Sequence, residues 1–485
     1  MSVTLNATKD SHDGGEHKAT GTVILFLSIA VLAGCLCKLI LSQILKNKFP
    51  APFTVIVLIL GFTMGMIISH IPVMSNDFLL GEKALKDINP HLIYYIFLPL
   101  LIFDSAFNSR FYVIRQHIVS AILLAGPGIL ISIGIIAVFA VFIFPYQWSW
   151  LVSIMFGSIL SATDPVAVVA LLHESGASKS LAALIDLESL LNDGSAFVIF
   201  MVFRDIIVGA SNSTKKVLID IAKFTIGGPI FGIVCGIIAV IFFNLVHNEL
   251  EVEIISTFGL AYLIFYVADV ELGVSAVLAL VVMGLFMAKY KYCISSHVQV
   301  TMTNTWRIII DFANILIFII TGIILAHSLV DTKATIVVRD FGYSILLYIV
   351  LHLGRILSVI IFYPLMRWSG VPFSWKEYLV LIWSGLRGSM SVILALMVDS
   401  DDRIDVETRH RYLFHICMIS LLTLIINGTS SKFLVRLLHL DHGMYRNSIV
   451  KMKFIFKNQV PRKVNKFCYK LLNICVDKRQ INSIK

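Results

Sequence analysis

Runs of about twenty apolar residues recur along the whole chain, and they constrain its fold more than any other feature. Each run is long enough to cross roughly 30 Å of hydrocarbon as an α-helix. Charged residues make up 14% of the 485 residues, against about 25% in soluble domains, and the mean hydropathy is +0.88. The runs are continuous rather than alternating, which excludes the strands of a membrane barrel. The sequence therefore predicts an all-α polytopic membrane protein.

The apolar runs divide the chain into about thirteen candidate spans. They are expected at 20–42, 51–74, 90–108, 118–144, 149–173, 181–209, 217–246, 253–269, 273–289, 306–329, 342–366, 377–398 and 411–438. Three parts follow from this division. They are an extracellular N-terminal segment at 1–19, a transmembrane domain at 20–438 whose core is formed by the spans within 149–209 and 377–438, and a basic cytoplasmic tail at 439–485.

The distribution of charge predicts the orientation. Lysines and arginines concentrate in alternate loops and in the tail, whereas the other loops include the acidic stretch at 399–407. The positive-inside rule then places the N-terminus outside and the C-terminus in the cytoplasm. Asn6 begins the sequence N-A-T, which is a glycosylation acceptor on that outer side.

The basic tail accounts for much of the net charge of +9. Its stretch at 445–480 mixes basic and apolar residues, which is typical of a segment that lies on anionic lipid or binds a calmodulin-like regulatory partner. Both alternatives remain open. Attraction to lipid is sufficient to explain the charge, so no nucleic-acid partner is expected. The seven cysteines form neither a disulfide framework nor a zinc pattern.

The span at 181–209 carries an ordered set of polar residues. Glu188 and Asn192 are four residues apart, as are Ser189 and Asp193, so each pair lies on neighbouring parts of one helix face. A carboxylate at the bilayer centre costs about 2.5–3.5 kcal/mol on insertion scales, so this face must look into a cavity or at protein. A structural ion pair without a transport role is the alternative.

The preceding span is interrupted near its middle by Thr163-Asp164-Pro165. Pro165 has no N–H group and clashes with the carbonyl of Ser161, so the helix is expected to break here. Such a break persists in a membrane only where it packs in protein or lines water. The freed N–H groups of the second half form a partly positive end, which Asp164 balances. A simple proline kink is the alternative.

A second interrupted span contains Gly385-Leu386-Arg387-Gly388. The two glycines allow local unwinding, and Arg387 balances the exposed carbonyl ends of half-helices. Two interrupted spans at corresponding places in two halves indicate a transporter site at the membrane midplane. Spans 1–6 and 8–13 would then form inverted repeats, with span 7 as the linker. Arg355 is a further buried cation, and Glu188 is its preferred partner in a pair that braces the fold.

Four motifs carry a resemblance to a known family. "SATDPVAVVALL" (161–172), "ESLLNDG" (188–194), "IFLPLLIFDSAF" (96–107) and "GLRGSM" (385–390) resemble the sodium/proton exchangers of the NHE/NhaP family of monovalent cation–proton antiporters. Among these, the sequence is most similar to sperm-type and plant salt-overly-sensitive exchangers. The resemblance implies an NhaA-like antiporter fold of two inverted six-helix repeats with two broken crossing helices. It also implies a homodimer in the plasma membrane, with a flagellar membrane as an alternative.

The same resemblance implies a role for each motif residue. Asp193 becomes the carboxylate that binds Na⁺ or H⁺, and Asn192 its neutral neighbour. The expected ion-site residues are Asp193, Asn192, Asp164, Thr163 and Ser189, with Asp104 as a water-linked contributor. Glu188 and Arg355 become the structural pair, and Arg387 balances the crossing helices around the breaks at Pro165, Gly385 and Gly388. Asn314 stands where many animal exchangers have glutamate, so inhibitor sensitivity does not carry over.

These residues predict a secondary active antiporter rather than an enzyme. Burial disfavours a charged carboxylate, so Asp193 can exchange a proton for Na⁺ or Li⁺. Because position 192 is asparagine, one carboxylate carries either one proton or one cation, which predicts electroneutral 1:1 exchange that regulates intracellular pH and sodium. No cofactor is expected, and no Walker A motif is present. The alternatives are K⁺/H⁺ antiport, a transport module of a larger sperm-type exchanger and, more distantly, a cation channel.

Overall fold

The structure is a computed structural model. It describes residues 24–25, 27–40, 53–70, 90–165, 168–169, 171–172, 178–209, 214–246, 248–330, 337–369 and 373–440. The segment at 1–19, with its glycosylation acceptor Asn6, lies outside these ranges. So do residues 441–485, which hold the stretch at 445–480 that is predicted to bind lipid or a calmodulin-like partner.

Every regular element in these ranges is helical. In chain order the helices are α1 (Leu27–Leu39), α2 (Phe53–His70), α3 (Pro90–Asn108), α4 (Phe111–Phe142), α5 (Trp150–Ser161), α6 (Lys179–Ile207), α7 (Lys215–Leu245), α8 (Leu250–Glu271), α9 (Ala276–Lys289), α10 (Ser296–Val330), α11 (Val338–Ser369), α12 (Trp375–Trp383), α13 (Ser389–Asp399) and α14 (Val406–Leu437).

Six of the described helices are long and apolar enough to cross a membrane by length and composition, namely α4, α7, α8, α10, α11 and α14. Shorter apolar helices accompany them, namely α1, α2, α3, α5, α9 and α13. The predicted all-α polytopic architecture is thus confirmed. The count of thirteen spans and the inverted repeats stay predictions.

The helices pack as two groups. Helix group I consists of α1–α3 and α7–α10, and helix group II consists of α4–α6 and α11–α14. The chain therefore passes through each group twice. Within group I, backbones approach closely where residues are small, because a Cβ atom on Gly61 would overlap Ile319 and one on Gly232 would overlap Ala279. Contacts between the groups are fewer and involve chiefly α3, α9 and α10 of group I.

Four described helices contain a π-helical segment. These segments are Leu124–Gly128, Lys223–Gly227, Val267–Glu271 and Thr423–Asn427. In the first, Pro127 has no N–H group to donate to the carbonyl four residues earlier, which disturbs the helical ladder. Ser358 Oγ of α11 donates to the Gly128 carbonyl at 2.9 Å and ties this segment to its neighbour.

Two spans are interrupted near their middles, at the residues where the sequence predicts a break. Helix α5 ends at Ser161, residues 162–165 are not helical, and helical residues resume at 168–169. Helix α12 ends at Trp383, and α13 begins at Ser389 after a stretch without helical structure. Both interruptions belong to helix group II.

Candidate ion-binding site

The two interrupted segments lie against each other. The backbone N–H of Asp164 donates to the Leu386 carbonyl at 2.9 Å. The Arg387 Nη1 atom donates in the other direction, to the carbonyls of Ser161 at 3.0 Å and Ala162 at 2.8 Å. These are carbonyls at the end of α5 that have lost their helical partners, so the arginine satisfies the backbone that the break exposes.

Gly388 makes this close crossing possible. A Cβ atom on Gly388 would overlap the Asp164 side chain, so any larger residue would displace that carboxyl group. Gly385 has more room, since the nearest atom to its Cβ position is Arg355 Nε at 3.6 Å. The two glycines of the motif therefore have different structural roles. Gly388 is required by the close approach, whereas Gly385 lies in the unwound stretch without crowding.

Helix α6 meets the crossing through Thr163. Ser189 Oγ donates to the Thr163 carbonyl and lies 3.0 Å from Thr163 Oγ1. Asn192 Nδ2 donates to Thr163 Oγ1 at 3.1 Å and to Glu188 Oε1 at 3.2 Å. One threonine thus joins the broken span to the polar face of α6.

Asp193 lies at this crossing, and one of its carboxylate oxygens has no hydrogen-bond partner among the described residues. Asp164, Arg387 and a hydrogen bond from the Thr163 backbone all act on this carboxylate. Its Oδ1 atom and Asn192 Oδ1 are both buried and have no hydrogen-bond partner. Buried polar atoms are normally satisfied, and a hard cation prefers oxygen ligands such as these. The donor set therefore suits either Na⁺ or a proton on the carboxylate.

Glu188 and Arg355 form a two-pronged ion pair that links α6 to α11. Arg355 Nη1 donates to Glu188 Oε1, and Nη2 donates to Oε2 at 2.7 Å. Glu188 is 1% exposed. Arg355 Nη2 also reaches the Leu381 carbonyl of α12 at 3.2 Å, so the pair braces three helices of group II.

Asp104 lies apart from the crossing, in a polar cluster on α3. It accepts a hydrogen bond from Asn108 Nδ2 at 2.6 Å. The charged groups that act on it are Arg307, Asp186 and Lys291. Within the described part of the chain, its contacts thus bind it to this cluster rather than directly to Asp193.

Two further residues of the site lie on α14, and motif reading missed them. Thr423 Oγ1 accepts a hydrogen bond from the Arg387 backbone at 3.1 Å. Asn427 is fully buried, donates to the Trp383 carbonyl at the end of α12 at 3.1 Å, and accepts from Tyr348 at 2.6 Å. The available signal was the presence of polar residues inside an apolar span, although Asn427 is also the start of a chance glycosylation sequence.

The site sits at the boundary between the helix groups. A Cβ atom on Gly194 would overlap Leu278 of α9, so α6 and α9 are in close contact beside Asp193. One turn further along α6, Phe197 stacks on Tyr94 of α3 with ring centroids 5.4 Å apart. The residues of the crossing belong to group II, and group I covers them from one side.

Comparison with known proteins identifies the family of this chain. A family model described as "Sodium/hydrogen exchanger, transmembrane" matches residues 11–437. The chain belongs to this family. The resemblance that the motifs indicate is therefore confirmed, and the sodium/hydrogen exchanger family consists of transporters rather than enzymes.

Relatives come from plants, animals and bacteria. The chain is 34% identical to Sodium/hydrogen exchanger 7 of Arabidopsis thaliana over 86% of its own length and 36% of that protein. It is 26% identical to Solute carrier family 9 member C1 of Mus musculus, over 84% and 34% of the two chains. With the Na⁺/H⁺ antiporter ApNhaP of Aphanothece halophytica it shares 28% over 90% and 78%. The chain thus spans about a third of the plant and mouse exchangers.

A solved structure shows the same fold. The sodium proton antiporter MjNhaP1 from Methanocaldococcus jannaschii superimposes with a TM-score of 0.67 at 20% sequence identity. The match covers 86% of this chain and 98% of the archaeal one. This exchanger-family chain is therefore a multi-pass membrane protein with the fold of that antiporter.

Proposed function

We propose that this chain is a secondary active antiporter that exchanges Na⁺ for H⁺ with 1:1, electroneutral stoichiometry. Asp193 is the group that carries the proton or the cation in turn. Asn192, Ser189, Thr163 and Asp164 supply or position the remaining oxygen ligands. The exchange uses the sodium gradient and requires no cofactor.

The charge balance at the crossing carries this proposal. Three carboxylates (Asp164, Glu188 and Asp193) meet two guanidinium groups (Arg355 and Arg387). When all five groups are ionised, one negative charge remains. One Na⁺ or one proton neutralises it, and the low dielectric of the membrane interior disfavours leaving it uncompensated.

Electroneutral exchange follows from the same balance. A site that is neutral with one proton and neutral with one Na⁺ crosses the membrane without net charge in either direction. Asn192 contributes an oxygen but no titrating group. A carboxylate in its place would add a second proton carrier about 4–6 Å away and would couple the two titrations.

Alternating access is proposed to arise from movement of group II against group I. The ion-site residues all lie in group II, and the contacts between the groups are fewer than those within them. Such rocking of one bundle against another is common among transporters with broken helices at the midplane. The cation would then reach Asp193 from one side of the membrane at a time.

We also propose the orientation, the oligomeric state and the membrane of this exchanger. The charge distribution supports an extracellular N-terminal segment at 1–19 and a cytoplasmic tail at 439–485, and the family supports a homodimer in the plasma membrane that regulates intracellular pH and sodium. Because the plant and mouse relatives are far longer, the chain is also proposed to be the transport module of a larger regulated exchanger.

The test is a proteoliposome assay with an internal pH dye and pulses of Na⁺, Li⁺ and K⁺. The parent is expected to move protons in response to Na⁺, and Asp193→Asn to abolish this response while its expression remains normal. Asp402→Asn is the matched control, since Asp402 has a 95% exposed side chain away from the crossing. A sodium-dependent pH change that survives Asp193→Asn would reject the carrier role. A response to K⁺ but not to Na⁺ would favour the K⁺/H⁺ alternative.

Electroneutrality has its own test. Liposomes clamped with potassium and valinomycin are scanned from about 0 to −100 mV, a range over which one moving charge is worth about 2.3 kcal/mol. The exchange rate of the parent is expected to stay constant. A rate that rises steeply with voltage contradicts the single-carboxylate argument.

A further inference from the structure

Asp186 is an acidic residue of α6 that the ion site does not use. It lies seven residues before Asp193, which corresponds to about 10 Å along the helix. Its hydrogen-bond partners in the described structure are two serine hydroxyl groups, one in the last turn of α3 and one just after it. Ser109 Oγ lies 2.9 Å from Asp186 Oδ2, and Ser105 Oγ lies 3.4 Å from Oδ1. The contact therefore joins group II, which holds the ion site, to group I.

The direction of the two helices makes this contact sensitive to position. Tyr94 near the start of α3 stacks on Phe197 near the end of α6, whereas Ser109 just after α3 contacts Asp186 near the start of α6. The helices thus run antiparallel, with Asp193 between the two contacts. If α6 slides along α3, Asp186 changes its distance to Ser105 and Ser109 in opposite senses. The two serines are one helical turn apart, or about 6 Å.

The contact with Ser109 can also break at little cost. Ser109 Oγ lies 2.7 Å from the Ser105 carbonyl as well as 2.9 Å from Asp186. A hydroxyl has one proton to donate, and a charged acceptor holds it more strongly than a carbonyl does. When Asp186 moves away, the proton of Ser109 returns to the carbonyl four residues earlier. No buried donor is then left without a partner.

We propose that Asp186, Ser105 and Ser109 form a sliding latch between the two helix groups. The bond to Ser109 stabilises the conformation described here, and movement of α6 toward the start of α3 exchanges it for a bond to Ser105 alone. Ser109 thus favours one of the two transport conformations. Ser105, whose Oγ atom lies 3.4 Å from Asp186 here and would lie closer after the movement, favours the other. This inference rests on the proposed alternating access, and it makes Asp186 a positioning residue rather than an ion ligand.

The latch predicts different effects for two similar substitutions. Ser109→Ala removes a bond that only one conformation makes, so the population shifts toward the other conformation. The apparent KM for Na⁺ should then rise on one side of the membrane and fall on the other. The ratio of the two values should change by about tenfold, the factor at the weak end of the range for a hydrogen bond to a charged group. Ser105→Ala is the matched opposite variant. It removes the bond that the other conformation makes more strongly, so the two KM values should shift in the reverse senses.

The experiment measures Na⁺-dependent proton flux in sealed, uniformly oriented vesicles, with Na⁺ varied first outside and then inside. Thermal melting of each variant checks that it folds. Asp186→Asn is a second variant for the case in which Ser109→Ala does not fold. Its neutral amide accepts the same hydrogen bond more weakly, so it should shift the two KM values in the same senses as Ser109→Ala, by a smaller factor.

The outcomes separate the latch from the exchange itself. Opposite shifts in the two KM values for Ser109→Ala, with the senses reversed in Ser105→Ala, support the latch. Equal shifts on both sides, or no shift in a folded Ser109→Ala and Asp186→Asn, overturn it while leaving the exchange in place. A parent that moves no protons in response to any cation overturns the proposed function, and the latch with it.

Discussion

Breaking the Glu188–Arg355 pair from either side should destabilise the protein, and by unequal amounts. Removing one partner of a buried ion pair costs about 3–5 kcal/mol, because the remaining charge is left uncompensated. Glu188 is 1% exposed, and after Arg355→Gln its remaining hydrogen bond would be the one from the Asn192 amide. Arg355 is 12% exposed at its side chain and would keep the Leu381 carbonyl after Glu188→Gln. We therefore expect Arg355→Gln to reach the upper end of the range and Glu188→Gln the lower end.

The assay is thermal melting of the purified protein in detergent. At about 2 °C per kcal/mol, the lower end for large domains, the two losses correspond to a fall in Tm of about 6–10 °C. The double variant Glu188→Gln/Arg355→Gln should melt higher than the sum of the single losses predicts, because it leaves neither charge unpaired. Asp402→Asn is the matched control. Asp402 lies in the stretch at 399–407, its carboxylate pairs with Arg409 and is 95% exposed, and such pairs contribute about 0–1 kcal/mol.

Two outcomes would refute this reasoning. If both single variants melt like the parent, the two residues do not act as a buried pair. If the losses simply add in the double variant, each residue acts through other contacts. In either case the bracing of α6, α11 and α12 has to come from packing rather than from the ion pair.

Two further predictions concern the helix crossing and a loop outside the membrane. Gly388→Ala should abolish cation-driven proton movement in proteoliposomes, because its Cβ atom would displace the Asp164 carboxyl group. Gly126→Ala is the control and should leave exchange intact, because no atom lies within 4 Å of its Cβ position. Exchange in Gly388→Ala at the parental rate would contradict the tight crossing. Hydrogen bonds from Arg403 hold the pKa of the Asp401 carboxyl well below its usual range. The ionised carboxyl therefore stabilises the folded protein fully above about pH 4, and this stabilisation is lost as the pH falls further. Asp401→Asn should therefore lower the Tm at pH 7. In a melting series below about pH 4, the difference in Tm between this variant and the parent should become smaller. A difference in Tm that stays constant with pH would rule out this linkage.

Local chemistry made the helix interruptions predictable from sequence. A proline conflicts with the carbonyl four residues earlier, and α5 does end at Ser161, four residues before Pro165. The polar face of α6 could also be predicted from the sequence, because residues four apart lie on the same face of a helix. The ends of the helices were harder to predict from the sequence. The span predicted at 306–329 is a helix at Ser296–Val330, because its polar first turns continue the helix beyond the apolar run.

Contacts between distant parts of the chain could not be read from the sequence in the same way. Thr423 and Asn427 complete the crossing from a helix that begins well after it, and neither belongs to a motif with a required spacing. Their role depends on how α14 packs against α12 and α13. The division into two helix groups and the contact of Asp186 with α3 are likewise properties of tertiary packing. The direct contacts of Asp104 with a cluster on α3 are a further example, and its water-mediated link to the ion site stays a prediction.

The π-helical segment at Thr423–Asn427 has a consequence for how related sequences should be aligned. Its first residue, Thr423, accepts a hydrogen bond from Arg387, and its last, Asn427, donates to the Trp383 carbonyl. A π-helical turn holds one residue more than an α-helical turn, so deleting one residue here would restore a regular α-helix without rotating the helix beyond it. A homologue with that deletion can keep both contacts, with its threonine and asparagine three residues apart instead of four. A single-residue gap at this point is therefore compatible with the same crossing, and the residues on its two sides should be matched by their contacts rather than by their separation in sequence.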